Sequence, residues 1–507
     1  MKNILLIILI LLSFTVYAQP GSLDATFGIG GKVNNAIGNS FCKGNAVALQ
    51  KDGKIIVAGA SVNNFALVRY NSDGTFDTTF GFNGIVSTDF ESGIDEAFSI
   101  AIQGDGKIVV AGNTSKHGYD FATAKYNNDG TLDSTFGSGG KVVTDFGNSQ
   151  DLAYSVIVQS DDKILVAGSS LSSSNYIQWS SALVRYNSNG SLDNTFGTNG
   201  KVTSSFLNNS DGGSATIQAD GKILIVGMVY SNATMRDFAM IRYNSDGTLD
   251  GTFGNNGFVI TDFAGYSETA NSVTIQSDGK VVLAGWTTNS NNSYYALARY
   301  QSNGNLDTKF GTGGKVTTDF GSYSQGNSVA IQSDGKILLA GISNNGTDKD
   351  FAIVRYNNVG TLDSIFGSDG IVTTDFGGYD DFGISLAIQG DGKIVVAGYS
   401  QNSSVANFAL ARYNNNPLTG IVEHALNKDI EVVLYPNPSS GIYNVSLNNK
   451  TIDTKIHVYD VFGNCLWRKD CRNDVSLKID LSSQPKGIYF MEVVSDRERV
   501  MKRIVLQ

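Results

Sequence analysis

Proline is nearly absent from this chain: there are five in 507 residues, and none between Gly21 and Asn416. Proline cannot donate to a sheet ladder, so a long segment without it suits a chain made almost entirely of paired strands. Histidine is equally scarce, and His117, His424 and His457 lie in three separate parts of the sequence. We therefore expect no histidine triad and no histidine metal cluster, and no nucleophile elbow or phosphate loop occurs either.

Cysteine is also scarce, with only Cys42, Cys465 and Cys471, and no zinc-type spacing is present. Along one extended strand, the Cα atoms of Cys465 and Cys471 would lie about 20 Å apart, beyond the disulfide limit of about 7 Å. They can pair only if the chain turns between them, near Lys469. The sequence leaves this pairing open.

Positive charge is in deficit, because the formal net charge is -10. Nucleic-acid and anionic-membrane binding both require a basic surface, so neither partner is expected.

Long apolar runs are missing except at the start, where Lys2 precedes an apolar run from Ile4 to Leu12. This pattern predicts a secretory signal peptide over residues 1–18, cleaved between Ala18 and Gln19, and no membrane span.

A repeated unit fills most of the chain. The phenylalanine of a Leu-Asp-x-x-Phe-Gly element recurs every 53 to 60 residues, and a glutamine before an Asp-Gly-Lys turn and a tyrosine after arginine give the same count. The phenylalanine positions are Phe27, Phe80, Phe136, Phe196, Phe253, Phe310 and Phe366. Three independent markers thus indicate seven repeats.

Each repeat predicts four short strands. Ala-Ile-Gln and Lys-Ile-Val-Val-Ala-Gly flank an Asp-Gly hairpin turn, and Phe-Ala-x-x-Arg-Tyr and Gly-Lys-Val-Val-Thr-Asp-Phe supply the other two. Four antiparallel strands repeated seven times fit an all-β, seven-bladed β-propeller over residues 19–415. The order of strands within a blade stays open. If Ala-Ile-Gln is innermost, the N-terminal segment completes the last blade.

The repeated motif resembles the delta-60 repeat family of bacterial propeller-like proteins. The resemblance rests on Asp-Gly-Lys-Ile-x-Val-Ala-Gly followed by Phe-Ala-x-x-Arg-Tyr-Asn-x-x-Gly-x-Leu-Asp-x-x-Phe-Gly, matched seven times between Gly21 and Asn415. It implies a propeller fold, and it implies no activity.

A second domain follows a linker at residues 416–429. Proline returns at Pro417, the period of the repeat stops, and short strand and turn patterns predict a small Ig-like β-sandwich over residues 430–507. Its motifs resemble the C-terminal (Por) sorting domain of type IX secretion cargo in Bacteroidota. The motif residues are Tyr435, Pro436, Asn437, Pro438, Gly441, Gly463, Gly487 and Tyr489. The resemblance implies type IX machinery as a partner, and delivery to the outer cell surface or release.

The loops of the predicted propeller divide between two rims. Alternating strand direction places the nearly uniform Asp-Gly-Lys hairpins on one rim and the loops that differ between repeats on the other, which we call the variable rim. Loops on a rigid scaffold commonly carry binding sites. Aromatic side chains there suit stacking on sugar rings or a protein partner, or alternatively pack against neighbouring blades. These candidates are Tyr176, Trp179, Tyr230, Trp286, Tyr294 and Tyr399.

Periodic charges are interpreted as architecture. An aspartate after leucine (after Phe76 in one copy) and a cation before tyrosine recur in every repeat, as Asp77 and Arg69 do, whereas an active site in a propeller is usually unique in the ring. The Asn-x-Asp-Gly-x-x-Asp segments faintly resemble calcium loops but lack the ligand spacing, and a turn is the preferred interpretation. No metal site and no cofactor are predicted.

Acidic residues that do not repeat could carry catalysis on the variable rim, although solvated loop acids are the commoner explanation. They are Glu91, Asp95, Glu96, Asp211, Glu268, Asp380 and Asp381. The preferred hypothesis is an exported, noncatalytic binding scaffold for a glycan or protein, with no catalytic residue. The alternatives are a secreted polysaccharide-degrading hydrolase or lyase and a passive surface spacer.

Overall fold

The computed structural model divides the chain into two compact units, one ending at residue 417 and the other beginning at residue 418. It describes residues 19–37, 42–91, 93–115, 118–147, 150–171, 179–204, 210–231, 235–263, 267–289, 292–401, 405–415, 432–435, 439–447, 454–460, 465–471, 476–495 and 499–506. The predicted signal peptide and linker lie outside these ranges. Within them every regular element is a β-strand, and no helix able to cross a membrane occurs.

The first unit contains seven four-stranded antiparallel sheets, one for each repeat, as predicted. Blades 1 to 3 comprise β2 Cys42–Leu49, β3 Ile55–Ser61, β4 Asn64–Tyr70, β5 Ile85–Thr88; β6 Asp95–Ile102, β7 Ile108–Thr114, β8 Asp120–Tyr126, β9 Lys141–Thr144; and β10 Asp151–Val158, β11 Ile164–Leu171, β12 Trp179–Tyr186, β13 Lys201–Ser204.

The remaining blades follow the same order. Blades 4 and 5 comprise β14 Ser210–Ile217, β15 Ile223–Ser231, β16 Met235–Tyr243, β17 Phe258–Thr261; and β18 Glu268–Ile275, β19 Val281–Thr288, β20 Ser293–Tyr300, β21 Lys315–Thr318. Blade 6 comprises β22 Ser324–Ile331, β23 Ile337–Asn344, β24 Lys349–Tyr356 and β25 Ile371–Thr374. Blade 7 comprises β26 Asp381–Ile388, β27 Ile394–Gln401 and β28 Ala406–Tyr413, completed by β1 Lys32–Asn35.

The strand containing Ala-Ile-Gln is the innermost of each blade, because the first strands of neighbouring blades contact one another around the axis. Blade 7 closes the ring: β1 pairs antiparallel with β28, in register from Lys32 opposite Ala411 to Asn35 opposite Phe408. The N-terminal segment therefore supplies the outer strand of the last blade.

The core lies between blades, which explains why the second and third strands are apolar on both faces. Ile56 on one face of blade 1 packs in one cluster with Ile108 and Val110 of blade 2. The opposite face of the same strand, represented by Val57, packs with Phe408 of blade 7. Each sheet is thus covered on both sides, as its unbroken apolar runs predict.

The periodic charges form a buried clamp in every blade, which confirms their architectural interpretation. Arg69 Nε donates to Asp77 Oδ2 at 2.7 Å, and Arg69 also donates to the backbone carbonyl of Asn128 in the next blade. The guanidinium lies 4.5 Å from the centroid of the Phe80 ring. The pairs in the other blades are Lys125–Asp133, Arg185–Asp193, Arg242–Asp250, Arg299–Asp307, Arg355–Asp363 and Arg412–Asp24.

The second unit is a sandwich of seven described strands in two sheets, in agreement with the predicted Ig-like fold. The strands are β29 Val432–Tyr435, β30 Ile442–Leu447, β31 Thr454–Tyr459, β32 Cys465–Cys471, β33 Ser476–Asp480, β34 Gly487–Ser495 and β35 Arg499–Leu506. One sheet has the order β29-β30-β33 and the other β32-β31-β34-β35. Their inner faces meet in a core that includes Tyr443, Ile456, Met491 and Ile504.

The possible disulfide between Cys465 and Cys471 does not fit this sandwich. The two residues lie at opposite ends of one strand, β32, and the turn near Lys469 that a disulfide requires does not form. Six residues of extended chain separate their Cα atoms by about 20 Å.

Candidate functional site

A β-bulge interrupts the innermost strand of every blade at the same place. In blade 2 the pairing of β6 with β7 shifts between Ala97 and Ser99, so Phe98 is the extra residue. A bulge leaves its extra residue outside the ladder and redirects its side chain. The seven bulge residues are Asn45, Phe98, Tyr154, Gly213, Asn271, Asn327 and Ile384.

All seven bulge residues line one cavity of about 560 Å³. Because each comes from a different blade, the cavity lies on the ring axis. It lies at the variable-rim end, because residues near the rim-side ends of their strands, such as Lys43, Glu96 and Tyr399, also line it. We call it the axial cavity. Its volume falls within the range of about 300–1,000 Å³ that is usual for small-molecule sites.

The walls of the axial cavity differ in chemistry. Phe98 and Tyr154 form an aromatic wall on blades 2 and 3, with ring centroids 5.8 Å apart and an interplanar angle of 67°. Tyr399 adds a third aromatic ring from blade 7, stacked on Phe382 at 4.6 Å. Asn271 and Asn327 contribute amides from blades 5 and 6. Aromatic faces thus accompany polar groups around one axis.

Hydrogen bonds between blades fix the amides. Asn271 Nδ2 donates to the carbonyl of Gly326 at 2.9 Å, and Asn327 Nδ2 donates to the carbonyl of Gly383 at 2.8 Å. Asn45 Nδ2 likewise donates to the next blade, at 2.9 Å from the carbonyl of Ala97. Each of these bonds uses an amide donor, and the amide oxygen keeps acceptor capacity for a ligand, although Asn327 Oδ1 also accepts a long bond of 3.4 Å from Asn271 Nδ2. The amides are therefore preorganised acceptors.

The charges at the cavity balance each other. Glu96 Oε1 accepts from Asn45 Nδ2 at 3.0 Å and lies 4.0 Å from Lys43 Nζ. Burial, together with the nearby charges of Glu96 and Asp380, raises the pKa of Tyr399 to about 12. The Tyr399 hydroxyl therefore keeps its proton at neutral pH and can donate a hydrogen bond. Among the described lining residues, Glu96 is the only carboxylate.

The structure places one of the predicted aromatic residues, Tyr399, in the axial cavity. Trp286 is half-buried on β19, opposite Tyr295 of β20. Tyr230 accepts a hydrogen bond from Arg236 Nε at 2.9 Å, and the Tyr294 hydroxyl accepts one from the Asn289 amide. Trp179 is the half-buried first residue of β12, and Tyr176 lies outside the described residues.

Two sequence predictions about this rim were wrong. Trp179, Tyr230, Trp286, Tyr294 and Tyr399 belong to strands rather than to loops, because the second and third strands extend beyond the repeated motif. The non-repeating acids are not all solvated. The structure buries Asp95, Glu268 and Asp381 completely, because each is the first residue of an innermost strand and lies between blades.

Burial perturbs the titration of these acids. It raises the pKa of Asp381 to about 6. Burial raises the pKa of Glu268 to about 8, together with a hydrogen bond that the protonated Glu268 donates to Asp237. The pKa of Asp95 is also raised by burial. Asp380 instead lies 3.3 Å from Lys349 Nζ in an exposed ion pair.

Sequence reasoning missed the bulge residues, although a signal for them exists. Each stands immediately before the serine of the innermost strand, or before Ala46 in blade 1, and its identity varies among the repeats: asparagine three times, and phenylalanine, tyrosine, glycine and isoleucine once each. The flanking positions repeat closely. A position that varies within an otherwise uniform strand indicates a side chain that packing does not fix.

The comparisons with known proteins agree with this architecture. A family model described as a domain of unknown function (DUF5122) beta-propeller matches residues 50–80, 103–136, 159–196, 218–253, 276–310, 332–366 and 389–416. The ring is built from DUF5122 repeats. A second model, the secretion system C-terminal sorting domain, matches residues 433–507. The suspected propeller repeats and sorting domain are thereby confirmed, and the sorting domain marks the protein for type IX export to the cell surface or release.

Several solved structures are similar to this chain at low sequence identity. A streptogramin B lyase is 11% identical, with a TM-score of 0.46, covering 76% of this chain and 97% of its own. The polysaccharide lyase Uly1 is 14% identical, with a TM-score of 0.42 and coverages of 76% and 92%. A protein of unknown function from Dyadobacter fermentans is 11% identical, with a TM-score of 0.43 and coverages of 76% and 98%. No curated protein matches the chain significantly.

Proposed function

We propose that the DUF5122 ring is a noncatalytic carbohydrate-binding module, displayed or released by type IX secretion, and that an oligosaccharide binds in the axial cavity. The observation that carries this proposal is the set of seven bulge residues, which differ between blades and converge on one cavity. A periodic scaffold gains a single asymmetric site in this way.

The chemistry of the walls supports a sugar ligand. Sugar rings present apolar faces that stack on aromatic side chains, and Phe98, Tyr154 and Tyr399 provide such faces. Sugar hydroxyls donate hydrogen bonds, and the oxygens of Asn271 and Asn327 are acceptors held in place by the neighbouring blades. The ligand class therefore follows from aromatic rings combined with preorganised amides.

The noncatalytic assignment rests on the number of carboxylates that line the axial cavity. Hydrolysis of a glycosidic bond usually requires two carboxyl groups on either side of that bond. Glu96 is the only carboxylate among the described lining residues, and its Oε1 is engaged by Asn45 at 3.0 Å. This arrangement favours binding over glycoside hydrolysis.

The test is a glycan and polysaccharide binding screen with the chain from Gln19 to Gln507, followed by two matched variants. Tyr154→Ala removes an aromatic face of the axial cavity, whereas Trp286→Ala removes a half-buried aromatic from the same rim outside it. We expect Tyr154→Ala to weaken binding about tenfold or more, which corresponds to about 1.4 kcal/mol. Trp286→Ala should leave affinity within about twofold.

Three results would reject the proposal. Absence of saturable binding across the panel would exclude a carbohydrate ligand. Binding lost in Trp286→Ala but kept in Tyr154→Ala would move the site to the outer rim. Release of reducing ends or unsaturated products by the unmodified protein would show that the ring is an enzyme.

A further inference from the structure

Three carboxylates converge where blades 6 and 7 meet on the variable rim. Asp350 lies on β24, Asp375 follows β25 in the same blade, and Asp381 begins β26 of the next. One oxygen from each lies within 4.8 Å of the others. Equivalent positions form two further groups, Asp120–Asp145–Asp151 between blades 2 and 3 and Asp237–Asp262–Glu268 between blades 4 and 5. We call these groups the acidic triads.

Some buried oxygens in the triads make no hydrogen bond of normal geometry. Asp381 is fully buried; its Oδ2 accepts from the Phe376 backbone N–H at 2.7 Å, whereas its Oδ1 makes no such bond, although the Ser400 hydroxyl interacts with this carboxyl group and lowers its pKa. Asp350 is only 5% exposed, and its Oδ1 likewise has no partner. In the other two triads Asp151 Oδ1 and Glu268 Oε2 are also buried without a hydrogen bond of normal geometry, although Ser170 interacts with Asp151 and Asp237 interacts with Glu268. An uncompensated buried carboxylate is costly, so these oxygens indicate a missing cation.

Lysine does not supply this missing cation in the triad between blades 6 and 7. Lys32, on the strand that completes blade 7, donates through Nζ to the backbone carbonyl of Asp375 at 2.9 Å. Its hydrogen bond is therefore made with the main chain, beside the triad. Asp350 and Asp381, which each have one buried oxygen without a hydrogen bond of normal geometry, bring carboxylate oxygens within 4.8 Å of one another across the blade boundary.

Other blade boundaries show that the fold does not require acids here. Between blades 5 and 6 the corresponding residues are Tyr294, Asp319 and Ser324, and the Ser324 hydroxyl donates to the Ser293 carbonyl at 2.8 Å. At the closure of blade 7 onto blade 1, Cys42 begins the innermost strand and its thiol donates to the Ile37 carbonyl at 3.0 Å. Neutral groups suffice for packing at these two boundaries, whereas the boundary between blades 1 and 2 keeps the buried Asp95 but has Asn64 in place of the first acid. A complete set of three acids is therefore not a requirement of the fold.

The geometry suits one hard divalent cation per triad. Ligand oxygens about 2.3–2.6 Å from a calcium ion can be at most about 5 Å apart, and the three oxygens here lie within 4.8 Å. Carboxylates are ligands for calcium and magnesium rather than for soft metals. Calcium accepts irregular oxygen cages completed by water, whereas magnesium demands a near-ideal octahedron. The middle carboxylate of each triad is exposed, which gives an ion access from solvent.

We propose that the three acidic triads are calcium sites that cross-link blades 2 and 3, 4 and 5, and 6 and 7 at the variable rim. In the triad between blades 6 and 7, Asp350 and Asp375 bind from blade 6 and Asp381 binds from blade 7. At this boundary the ion joins two sheets between which the described residues form no ladder, whereas between blades 2 and 3 it would reinforce the single bridge of Tyr119 with Gln150. The sites are separate from the axial cavity and do not depend on its ligand.

The test is calorimetric titration of calcium chloride into the metal-stripped chain from Gln19 to Gln507. We expect three calcium ions per chain and a higher thermal midpoint in calcium than in chelator. Asp375→Asn removes an exposed ligand from one triad without disturbing the core, and the stoichiometry should fall to two. The matched control is Asp319→Asn, which changes the corresponding acid at a boundary without a triad and should leave the stoichiometry at three.

Two outcomes would overturn this proposal. One is the absence of calcium binding by a protein whose circular dichroism shows the folded state. The other is an equal loss of sites in Asp319→Asn and Asp375→Asn, which would indicate general attraction of cations to an acidic surface. Magnesium chloride provides a comparison, and a preference for magnesium would reject the assignment to calcium.

Discussion

Arg412 Nε donates to Oδ2 of Asp24 at 2.8 Å, across a sequence separation of 388 residues. The same bond in blade 3, from Arg185 to Asp193 at 2.7 Å, spans only eight residues. The chemistry is identical, but the first pair joins the two ends of the ring. One repeated contact thus serves as a local clamp in most blades and as a closure in the last.

This difference predicts unequal consequences for the same substitution. Asp24→Asn and Asp193→Asn each leave a buried arginine without its carboxylate, which should cost about 3–5 kcal/mol. Only Asp24→Asn should also release the N-terminal segment, raising amide hydrogen exchange around Lys32 and in β28. Exchange that rises equally there in both variants would show that the closure does not depend on this pair.

The clamps also predict how stability responds to acid. Burial alone would raise the pKa of Asp133, but hydrogen bonds from Lys107 and Thr135 lower it to about 2. A carboxyl whose pKa is lower in the folded state stabilises the fold above its unfolded pKa, and this contribution disappears as pH falls. Stability should therefore hold down to about pH 4 and fall between about pH 4 and 2.

The measurement is the midpoint of urea unfolding as a function of pH. Asp133→Asn should lower the midpoint at neutral pH and flatten the decline between about pH 4 and 2, because the variant cannot take up the proton. An unchanged slope in this variant would show that the Asp133 clamp does not contribute to acid sensitivity.

The repeat allowed the ring to be predicted from the sequence, because seven copies of one pattern constrain hairpins, strand number and closure together. The clamp followed from the periodicity of its charges. The axial cavity did not, because the redirection of Phe98 and Asn327 depends on a bulge that no single-strand pattern reveals. The acidic triads could not be predicted for a similar reason, since Asp381 and Asp350 come close to each other only when the blades pack together.

Serine hydroxyls connect the innermost strands. Ser99 Oγ accepts from the backbone N–H of Val156 in the next blade at 3.0 Å, and Ser328 Oγ accepts from Leu386 at 3.1 Å. Blade 1 has Ala46 at this position. Ser99→Ala should destabilise the ring by about 1–3 kcal/mol, because it leaves a donor unsatisfied.

The reverse change provides the control. Ala46→Ser adds a hydroxyl at the one blade that lacks it, where Ile100 occupies the position of Val156. It should stabilise the ring by about 0.5–1.5 kcal/mol, measured by equilibrium unfolding in urea. A destabilising Ala46→Ser would mean that the blade 1 boundary has no room for the bond.

Glycine near each bulge allows the first two strands of a blade to approach closely. A Cβ atom at Gly398 would overlap the carbonyl oxygen of Phe382, whereas one at Gly390 would meet nothing within 4 Å. Gly398→Ala should destabilise the ring by about 1–3 kcal/mol or more, since the backbone must move. Gly390→Ala should change the thermal midpoint little, and similar losses in both variants would contradict this explanation.

The pairing of β1 with β28 also sets an order of events during protein synthesis. Lys32 leaves the ribosome early, but its partner Ala411 is translated last among the ring strands. At about 5–20 residues per second, the first strand waits roughly 20–80 seconds for its partner. Blades 1 to 6 can form hairpins as they emerge, yet the circle stays open throughout. The ring of a newly made chain therefore cannot close until its last strand has been synthesised, however early the other blades form.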